Sequence, residues 1–326
     1  MSRLGEFDFI RQLLAPLSRN APGAYNLTDD AATLAPSHGC ELVTTVDAVV
    51  AGVHFLPDDH PDLIARKALR VNLSDLAAKG AKPIGFLMAL ALPDHINDDW
   101  LKRFAAGLGS DVDAFACPLL GGDTVATPGP LMVSITAFGE VKTGQMTRRS
   151  VAMAGDILCV SGTIGDAALG LDVARGQYAS ITAAERDYLI DRYRIPRPRL
   201  ALGQALAGRD RACLDISDGL CADVGHICEQ SSVGAVIEIE KLPLSDAAKS
   251  VLAKSPEAMA RILGGGDDYE LAFAVPPANL TATIALGRAV GIGVTPIGAF
   301  EAGTDVRVLD GIGVAIAVSS AGYTHR

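Results

Sequence analysis

The first half of the chain alternates short β-branched runs with segments whose apolar residues recur every three to four positions. The β-branched run at residues 41–50 predicts a strand. Residues 61–78 predict a helix, because their apolar side chains share one face and Gly80 and Pro83 follow its end. The same patterns predict two further helices and three further strands, at about 7–17 and 98–116, and at 84–92, 118–120 and 131–141.

The second half begins after a polar segment, residues 142–155, which lacks periodicity and is typical of a connector. We therefore predict an N-terminal domain at 1–145 and a C-terminal domain at 150–326. A helix is predicted from Gly219 to about residue 230, and Pro196 and Pro198 interrupt earlier helical stretches. Further strands are predicted at 156–161, 212–216, 235–239, 270–275 and 294–300. This order predicts a two-domain α/β protein in which helices pack on mixed sheets.

Composition and charge narrow the classes of function. The 326 residues are 49% hydrophobic and only 5% aromatic, and the net charge of −10 argues against a nucleic-acid or anionic-membrane partner. Six cysteines without a CxxC pair are typical of free thiols in a reducing compartment. Acidic residues near the N-terminus and the lack of a long apolar run argue against a signal peptide or a membrane span. The sequence therefore predicts a soluble cytoplasmic protein.

Short motifs that combine aspartate with glycine or a hydroxyl residue recur along the chain. Carboxylates that converge repel one another and are costly to bury unless cations lie between them. Mg²⁺ prefers such oxygen ligands and usually binds through one or two carboxylates, waters and substrate phosphates. If these segments meet in space, they predict a site for metal-bound phosphate. The motifs are Thr28-Asp29-Asp30, Thr44-Thr45-Val46-Asp47, Asn72-Leu73-Ser74-Asp75, Gly121-Gly122-Asp123-Thr124 and Asp215-Ile216-Ser217-Asp218-Gly219.

Each motif also has a structural interpretation, because Asp is common at helix N-caps and in turns. Asp75, on the predicted helix 61–78, is equally compatible with a solvated polar face. Ser217 or Asp218 is expected to cap the following helix, or else to leave its first N–H groups for phosphate oxygens. The motif around Asp123 is predicted to follow a strand end, where ligands of α/β sheets often bind.

Several known phosphate-binding signatures are absent. The chain has no Gly-Lys dipeptide and hence no P-loop, and it lacks a helix-opening GxGxxG and the protein-kinase motifs. A nucleotide would therefore depend on metal ions and glycine loops. Arg148-Arg149 offers a phosphate clamp, although adjacent arginines in a connector are more often solvated. Four neighbouring residues could also be the ligands of a transition metal, namely His54, Asp58, Asp59 and His60. A solvated loop is the better interpretation of this stretch, because it contains Pro57 and is acidic.

Taken in order, the motifs resemble the thiamine-monophosphate kinase family. This family belongs to the superfamily of aminoimidazole ribonucleotide synthetase, selenophosphate synthetase and the hydrogenase-maturation dehydratase. The resemblance runs nearly end to end, and the stretches around His54 and Asp75 are its most specific parts. It rests on Gly5-Glu-Phe, Asp29-Asp-Ala-Ala, Val50-Ala-Gly-Val-His-Phe-Leu-Pro, Lys67-Ala-Leu-Arg-Val-Asn-Leu-Ser-Asp-Leu-Ala-Ala, Gly121-Gly-Asp-Thr, Asp215-Ile-Ser-Asp-Gly-Leu and Gly265-Gly-Asp-Asp-Tyr-Glu-Leu.

The resemblance implies an ATP-dependent kinase that converts thiamine monophosphate into thiamine diphosphate, the last step of its biosynthesis. It implies the two-domain aminoimidazole ribonucleotide synthetase-like fold and a homodimer built through the N-terminal sheets. In that dimer His54 would act either in the site of its own subunit or in that of the partner subunit. The resemblance also implies several Mg²⁺ ions, whose ligands are Asp30, Thr45, Val46, Asp47, Asp75, Asp123, Asp215 and Asp218. Val46 would act as a ligand through its carbonyl oxygen. The implied ATP contacts are Gly122, Asp123, Arg149 and Ser217, and the implied substrate contacts are His54, Asp267 and Tyr323.

The chain departs from the family pattern at a few positions. Val46 stands where Ser or Thr is usual, Asp267 is one methylene shorter than the usual Glu, and Thr28 replaces a glycine. Ser320 occupies the place of an expected aromatic residue, which leaves Tyr323 as the local candidate for stacking on the thiamine rings. These departures are the support for a rival function, a nucleotide or Mg²⁺ sensor without turnover.

Other members of the superfamily fit the sequence less well. Selenophosphate synthetase needs a reactive Cys or selenocysteine near the N-terminus, whereas the first cysteine here is Cys40. The hydrogenase-maturation enzyme ends in a reactive Cys, whereas this chain ends in Arg326. An aminoimidazole ribonucleotide synthetase would lack the motifs around His54 and Asp267. With no Lys, Cys or Ser nucleophile evident, direct in-line transfer of the phosphoryl group is expected.

Overall fold

The chain folds into two compact units. The N-terminal unit comprises Met1–Leu76 and Ala81–Gly144, and the C-terminal unit comprises Ala77–Gly80 and Gln145–Arg326. The structure, a computed structural model, describes residues 4–209 and 212–316. The short piece Ala77–Gly80 lies at the end of a helix that begins in the other unit, so the division is not a single cut in the sequence.

A four-stranded sheet forms the centre of the N-terminal unit. Its strands are β1 (Cys40–Val50), β2 (Lys82–Leu92), β3 (Leu119–Ala126) and β4 (Met132–Lys142). Their order in the sheet is β1-β4-β2-β3, with β4 antiparallel to β1 and β2 and with β3 parallel to β2. β1, β2 and β3 therefore run in the same direction, and β1 and β3 are the two edges.

One face of this sheet is covered by helices, and the other is open within the unit. Along β1, Val43 and Val49 are buried, whereas Leu42 and Val46 are 41% and 60% exposed. Helix α2 (Pro61–Ala78) is fully buried over most of its length, and α3 (Asp98–Phe115) has an amphipathic pattern. The two helices approach closely at Gly107, where a Cβ would lie 2.4 Å from the backbone of Asp62. We call the two sides of the sheet the covered face and the open face.

The N-terminal helix is irregular. It begins as α1 (Glu6–Phe9), continues as a π-helical turn (Ile10–Leu14) and ends as a 3-10 turn (Ala15–Ser18). The prediction of a helix at about 7–17 is confirmed, and Pro16 gives the physical reason for its irregular end, because proline cannot donate a backbone hydrogen bond. A further 3-10 segment, Pro22–Leu27, leads to the first acidic motif.

A seven-stranded mixed sheet forms the centre of the C-terminal unit. The strands are β5 (Ile157–Ser161), β6 (Cys213–Asp215), β7 (Gly234–Glu238), β8 (Leu271–Val275), β9 (Val294–Glu301), β10 (Val306–Leu309) and β11 (Ala315–Ile316). Their order is β11-β10-β7-β9-β5-β8-β6, and only β10 and β7 pair in parallel. The helices are α4 (Asp166–Ala174), α5 (Ala183–Arg194), α6 (Leu200–Leu206), α7 (Leu220–Ser231), α8 (Asp246–Lys254), α9 (Ala258–Gly264) and α10 (Leu280–Ala289).

Most predicted elements are confirmed, but the strand at 118–120 is much longer than predicted. β3 continues through Gly121, Gly122 and Asp123 to Ala126, so this motif lies within a strand and does not follow one. The pairing of β3 with β2 continues through this motif as far as Leu92 and Ala126. Gly122 is needed in the strand, because a Cβ there would lie 1.9 Å from the carbonyl oxygen of Met88.

All six cysteines are free thiols, and four of them are buried. Burial raises the pKa of the Cys117 thiol to about 12. Within residues 4–209 and 212–316, no helix is both long enough and apolar enough to cross a membrane.

Candidate functional site

A large cavity of the N-terminal unit brings two of the acidic motifs together. Its volume is about 1190 Å³, and it is lined by the N-terminal helical segment, the first acidic motif and β3. Asp30 and Asp123 both line it, as does Gly122. Asp123 pairs with Ala89 of β2, whose partner on β4 is Ser134, so the register places Asp123 on the open face. We call this space the acidic cavity.

The backbone that leads to Asp29 and Asp30 is strained. Tyr25, Asn26 and Leu27 have φ angles of 48°, 54° and 55°, which is the left-handed region that non-glycine residues seldom adopt. The hydroxyl of Thr28 donates to the carbonyl of Tyr25 at 2.7 Å and closes this turn. Strain of this kind persists where surrounding contacts impose it, and it concentrates at ligand sites. Asp29 and Asp30, which follow this turn, both line the acidic cavity.

A second group of predicted ligands lies on the covered face. The hydroxyl of Thr45 donates to the carboxylate of Asp75, and this hydrogen bond joins β1 to α2. Asp47 lies two residues after Thr45 on the same face of β1, and its amide donates to the side chain of Asn72 at 3.0 Å. Asn72 in turn donates to the carbonyl of Ala68 at 3.0 Å, which fixes its amide. The structure thus brings Thr45, Asp47 and Asp75 together, and Asp75 is half-buried and not a solvated helix residue.

The two groups lie at opposite edges of one sheet. β4 and β2 separate β1 from β3, which corresponds to about 14 Å at the usual spacing of strands. In the part of the chain that the structure describes, no three carboxylates among Asp30, Asp47, Asp75 and Asp123 have ligand atoms within 4.8 Å of one another. Each group alone therefore offers at most two carboxylates to a cation, which matches the way Mg²⁺ is usually held. The side chain of Val46 lies on the open face, 60% exposed.

His54 lies in a tight loop after β1. The amide of Val50 donates to Nδ1 of His54 at 3.1 Å, and the amide of His54 donates to the carbonyl of Val50 at 2.9 Å. Gly52 has a φ of +80°, which the loop requires. Because Nδ1 accepts a hydrogen bond, the proton of the neutral ring lies on Nε2, where it can serve as a donor to a phosphate oxygen. The loop holds the ring in one orientation.

In the C-terminal unit, the two arginines of the connector lie beside β6. The amide of Cys213 donates to the carbonyl of Arg148 at 2.8 Å, and Ser231 donates to the carbonyl of Arg149 at 3.5 Å. The Arg149 side chain is exposed while its backbone is anchored next to the strand that ends at Asp215. These contacts place Arg149 at the start of β6 and at the C-terminal end of α7, whereas the loop at residues 217–219 precedes the N-terminus of α7.

The loop after β6 is organised by a residue that the sequence analysis missed. One carboxylate oxygen of Asp223 accepts the amides of Ser217, Asp218 and Gly219 at 3.0, 2.9 and 3.1 Å. Neither Ser217 nor Asp218 caps α7, so that prediction is wrong, and these three N–H groups are already bound and do not face a phosphate. Burial raises the pKa of Asp223 to about 7. An Asp in the first turn of the predicted helix is the signal that could have identified it.

Asp223 also belongs to a group of possible metal ligands. Across residues 4–209 and 212–316, ligand atoms lie within 4.8 Å of one another in a single group of three, which comprises Asp218, Asp223 and His226. Asp218 is half-buried, Asp223 is buried and His226 is exposed. Two carboxylates and an imidazole nitrogen suit a divalent cation. This group fits the prediction that Asp218 is a metal ligand.

Asp267 lies directly beside this loop. Its amide donates to the carbonyl of Ser217 at 2.9 Å, and the amide of Tyr269 donates to the carbonyl of Ile216 at 2.8 Å. Gly266 has to be glycine, because a Cβ there would lie 2.1 Å from the Ser217 carbonyl oxygen. The structure therefore places a predicted substrate residue next to a predicted nucleotide residue. Ser320 and the predicted stacking residue Tyr323 lie outside the described residues.

Comparisons with known proteins show the family to which this chain is similar. Models of the AIR synthase related protein match residues 28–141 for the N-terminal domain and 153–311 for the C-terminal domain. Thiamine-monophosphate kinase from Caulobacter vibrioides is 44% identical over 92% of this chain and 85% of its own length.

Solved structures agree as well. The crystal structure of thiamine-monophosphate kinase from Stenotrophomonas maltophilia is 40% identical, with a TM-score of 0.80 over 86% of this chain and 89% of that one. A structure of AaThiL complexed with AMPPCP and TMP is 30% identical, with a TM-score of 0.76 over 94% and 95%. The chain therefore belongs to the thiamine-monophosphate kinase family, within the AIR synthase related proteins.

Proposed function

We propose that this chain transfers the γ-phosphoryl group of ATP to thiamine monophosphate and so forms thiamine diphosphate. The observation that carries the proposal is the hydrogen bond from the amide of Asp267 to the carbonyl of Ser217, because we propose that these two residues contact the acceptor and the nucleotide, respectively. Membership of the thiamine-monophosphate kinase family and the likeness to the AMPPCP and TMP complex support the same reaction.

Each group of residues has a distinct role in the proposal. The N-terminal unit binds ATP in the acidic cavity through Gly122 and Asp123, and the C-terminal unit completes the nucleotide site with Arg149 and Ser217. His54 and Asp267 hold the acceptor, His54 by donating from Nε2 to its phosphate. Several Mg²⁺ ions, when bound, neutralise the phosphates of both substrates. The residues that would hold these ions are Asp30, Thr45, Val46 through its carbonyl, Asp47, Asp75, Asp123, Asp215 and Asp218.

The acceptor needs no general base. A phosphate monoester has a second pKa near ~6, so thiamine monophosphate is largely dianionic at neutral pH and is itself the nucleophile. The work left to the protein is to bring two polyanions together in line and to exclude water. Because the acceptor phosphate is itself the nucleophile, direct in-line transfer needs no phosphoenzyme.

We further propose that the chain acts as a homodimer built through the open faces of its N-terminal sheets. Leu42 and Val46 of this face are 41% and 60% exposed, and an apolar sheet face of this kind is typical of an interface. The six free thiols support a reducing cytoplasmic location.

The test is the release of ADP from ATP and Mg²⁺ by purified protein, with and without thiamine monophosphate. Release that depends on thiamine monophosphate, with thiamine diphosphate as product, is the expected result. Free thiamine serves as the matched control and should be a poor acceptor, because it lacks the phosphate that His54 is proposed to hold. Tight binding of ATP without acceptor-dependent release would instead identify a sensor.

A further inference from the structure

The segment Gly265–Leu271 directs alternate side chains to opposite sides. Asp267 and Tyr269 are half-buried on one side, where the Tyr269 hydroxyl donates to the Asp267 carboxylate at 3.3 Å. Asp268 and Glu270 are 1% and 0% exposed and point into the unit. The proposed substrate contact Asp267 is thus carried by a backbone whose inward side chains belong to the interior. We call this segment the acceptor loop.

The outward residues adopt conformations that need external support. Asp267 and Tyr269 have φ angles of 73° and 51°, in the left-handed region. Neither residue is glycine, and Tyr is especially unfavourable there. A loop with two such residues holds its shape only when surrounding contacts impose it. The question is which contacts do so.

Glu270 makes the largest set of these contacts. Its carboxylate accepts hydrogen bonds from the Ser161 hydroxyl at 2.6 Å, from Arg192 Nη2 at 2.9 Å and from Arg199 Nε at 2.6 Å. The Ser161 hydroxyl also accepts the amide of Leu271 at 2.8 Å. Gly162 leaves room for the carboxylate, since a Cβ there would lie 2.3 Å from one of its oxygens. Two guanidinium groups therefore fix a single carboxylate at the end of the acceptor loop.

Asp268 provides a second inward anchor. Its carboxylate accepts the amides of Gly165 and Ala167 at 2.6 and 3.1 Å, at the start of α4. Arg192 also donates to the carbonyl of Asp268 at 3.3 Å, so one guanidinium contacts both anchors. The acceptor loop is thereby held at two consecutive inward positions, on either side of the strained Tyr269.

The composition of this cluster favours positioning over simple stabilisation. Buried ion pairs lose hydration and often stabilise a fold no better than apolar residues of similar size. Arg192 is 1% exposed, and its Nε and Nη1 make no hydrogen bond within the described residues. Because buried donors without acceptors lower stability, this network contributes little to the stability of the fold. Its directional hydrogen bonds instead fix one geometry of the loop.

We propose that Glu270, held by Arg192 and Arg199, is a positioning residue that fixes the acceptor loop so that Asp267 faces thiamine monophosphate. This inference rests on the proposed function for the identity of the substrate. It concerns a residue that touches the loop and not the reacting atoms. ATP binding should depend on it less, because three hydrogen bonds to Asp223 hold the Ser217 loop in addition to its contact with Asp267.

The first test measures the loop without the reaction. Arg199→Gln removes one guanidinium at the accessible end of the cluster, where its side chain is 18% exposed. Arg197→Gln is the matched control, because Arg197 lies two residues away and pairs with Asp191 at the surface, 44% exposed. The hydrogen-exchange rates of the Asp267 and Tyr269 amides should rise at least tenfold in Arg199→Gln and should not change in Arg197→Gln. Unchanged exchange in Arg199→Gln would overturn the proposal, whatever the enzyme does.

The second test measures the consequence for the substrate. Arg199→Gln should raise the KM for thiamine monophosphate about tenfold and leave the KM for ATP within twofold, whereas Arg199→Lys should recover part of the loss. In an Asp267→Asn background, Arg199→Gln should add little, because the positioned carboxylate is already gone. Equal effects on both KM values, or full additivity with Asp267→Asn, would contradict the proposal. If the wild-type protein shows no acceptor-dependent ADP release, the proposed function fails, while hydrogen exchange still decides the role of Glu270.

If Arg199→Gln does not fold, Glu270→Gln provides the same comparison. This change keeps the shape of the side chain and an acceptor for Ser161 but removes the charge that both arginines share. The same selective rise in the thiamine-monophosphate KM is expected, with faster exchange of the loop amides. A folded Glu270→Gln variant with wild-type exchange and wild-type KM values would rule out the positioning role.

Discussion

The hydroxyl of Thr45 donates a hydrogen bond to the carboxylate of Asp75, and this contact links the edge strand β1 to the buried helix α2. The two residues are 30 positions apart in the chain. Asp75 lies on α2 and is half-buried, whereas its neighbours Ser74 and Leu76 are fully buried. A carboxylate in such surroundings is stabilised by a hydrogen bond and, in the proposed function, by a cation.

Asp75→Asn should lower turnover at least a hundredfold, about 3 kcal/mol of transition-state stabilisation. The amide oxygen of Asn can still accept from Thr45, so the fold should remain intact. Turnover at limiting Mg²⁺ and thermal unfolding would be measured together. Asp99→Asn, at a position on α3 that is 79% exposed, is the control and should behave as wild type. Near-normal turnover of Asp75→Asn would remove Asp75 from the metal site.

Asp267→Asn isolates the charge of the proposed substrate contact. Asn tolerates the left-handed φ of 73° as well as Asp does, so the backbone should not change. A carboxylate that faces a cationic ring contributes mainly to binding. The KM for thiamine monophosphate should therefore rise at least tenfold while the KM for ATP stays within twofold. A parallel rise of both KM values would show that Asp267 acts on the nucleotide as well.

Asp223→Ala should destabilise the C-terminal unit and weaken ATP binding. The substitution leaves three amides, those of Ser217, Asp218 and Gly219, without their acceptor. A buried donor without an acceptor costs about 1–3 kcal/mol, so we expect a loss of at least about 3 kcal/mol in unfolding free energy. Glu229→Ala, at a position on the same helix that is 72% exposed, is the matched control for urea unfolding. Equal stability of the two variants would mean that the loop does not depend on Asp223.

The buried carboxyl of Asp268 should make stability depend on pH. Burial raises its pKa from 3.8 to about 8, so the folded protein holds this proton where the unfolded chain has released it. Its contribution to stability is then complete below pH 3.8 and is lost as the pH rises to about 8. Asp223, with a pKa raised to about 7, acts in the same direction.

Urea unfolding between pH 4 and pH 8 would measure this effect. Asp268→Asn should be less stable than wild type at acid pH, because it loses an acceptor for one amide at the start of α4, but its stability should change less with pH. If the unfolding free energy of Asp268→Asn changes with pH as much as that of the wild type, Asp268 is ionised in the folded state.

Transfer should proceed without a covalent intermediate. Protein incubated with γ-labelled ATP and Mg²⁺ but no acceptor should carry no label after denaturation, because in the proposed reaction the acceptor phosphate is itself the nucleophile. Two-substrate kinetics should give intersecting lines, as expected for a ternary complex. Stoichiometric label on the chain, or parallel lines, would contradict direct transfer.

The local pattern of apolar and polar residues was sufficient to predict much of the secondary structure. The helix at 61–78 was predicted with the bounds that it has in the structure, because its apolar periodicity and flanking glycine and proline are local signals. The strands β1, β2 and β4 were predicted within two residues of their ends for the same reason. Where the signal was ambiguous, it failed. The strand at 118–120 was predicted to end before Gly121, yet the glycines continue β3. The helices α8 to α10 and the strands β10 and β11 were not predicted.

The identities of most candidate site residues could likewise be predicted, because their motifs are short and contiguous. Their grouping could not. Strand order places β1 and β3 at opposite edges, and side-chain alternation places Asp47 and Asp123 on opposite faces. The role of Asp223 and the cluster around Glu270 also depend on contacts between residues that are far apart in the chain. Periodicity reports which side chains share a face of one element, whereas strand order and long-range hydrogen bonds arise only when the elements pack together.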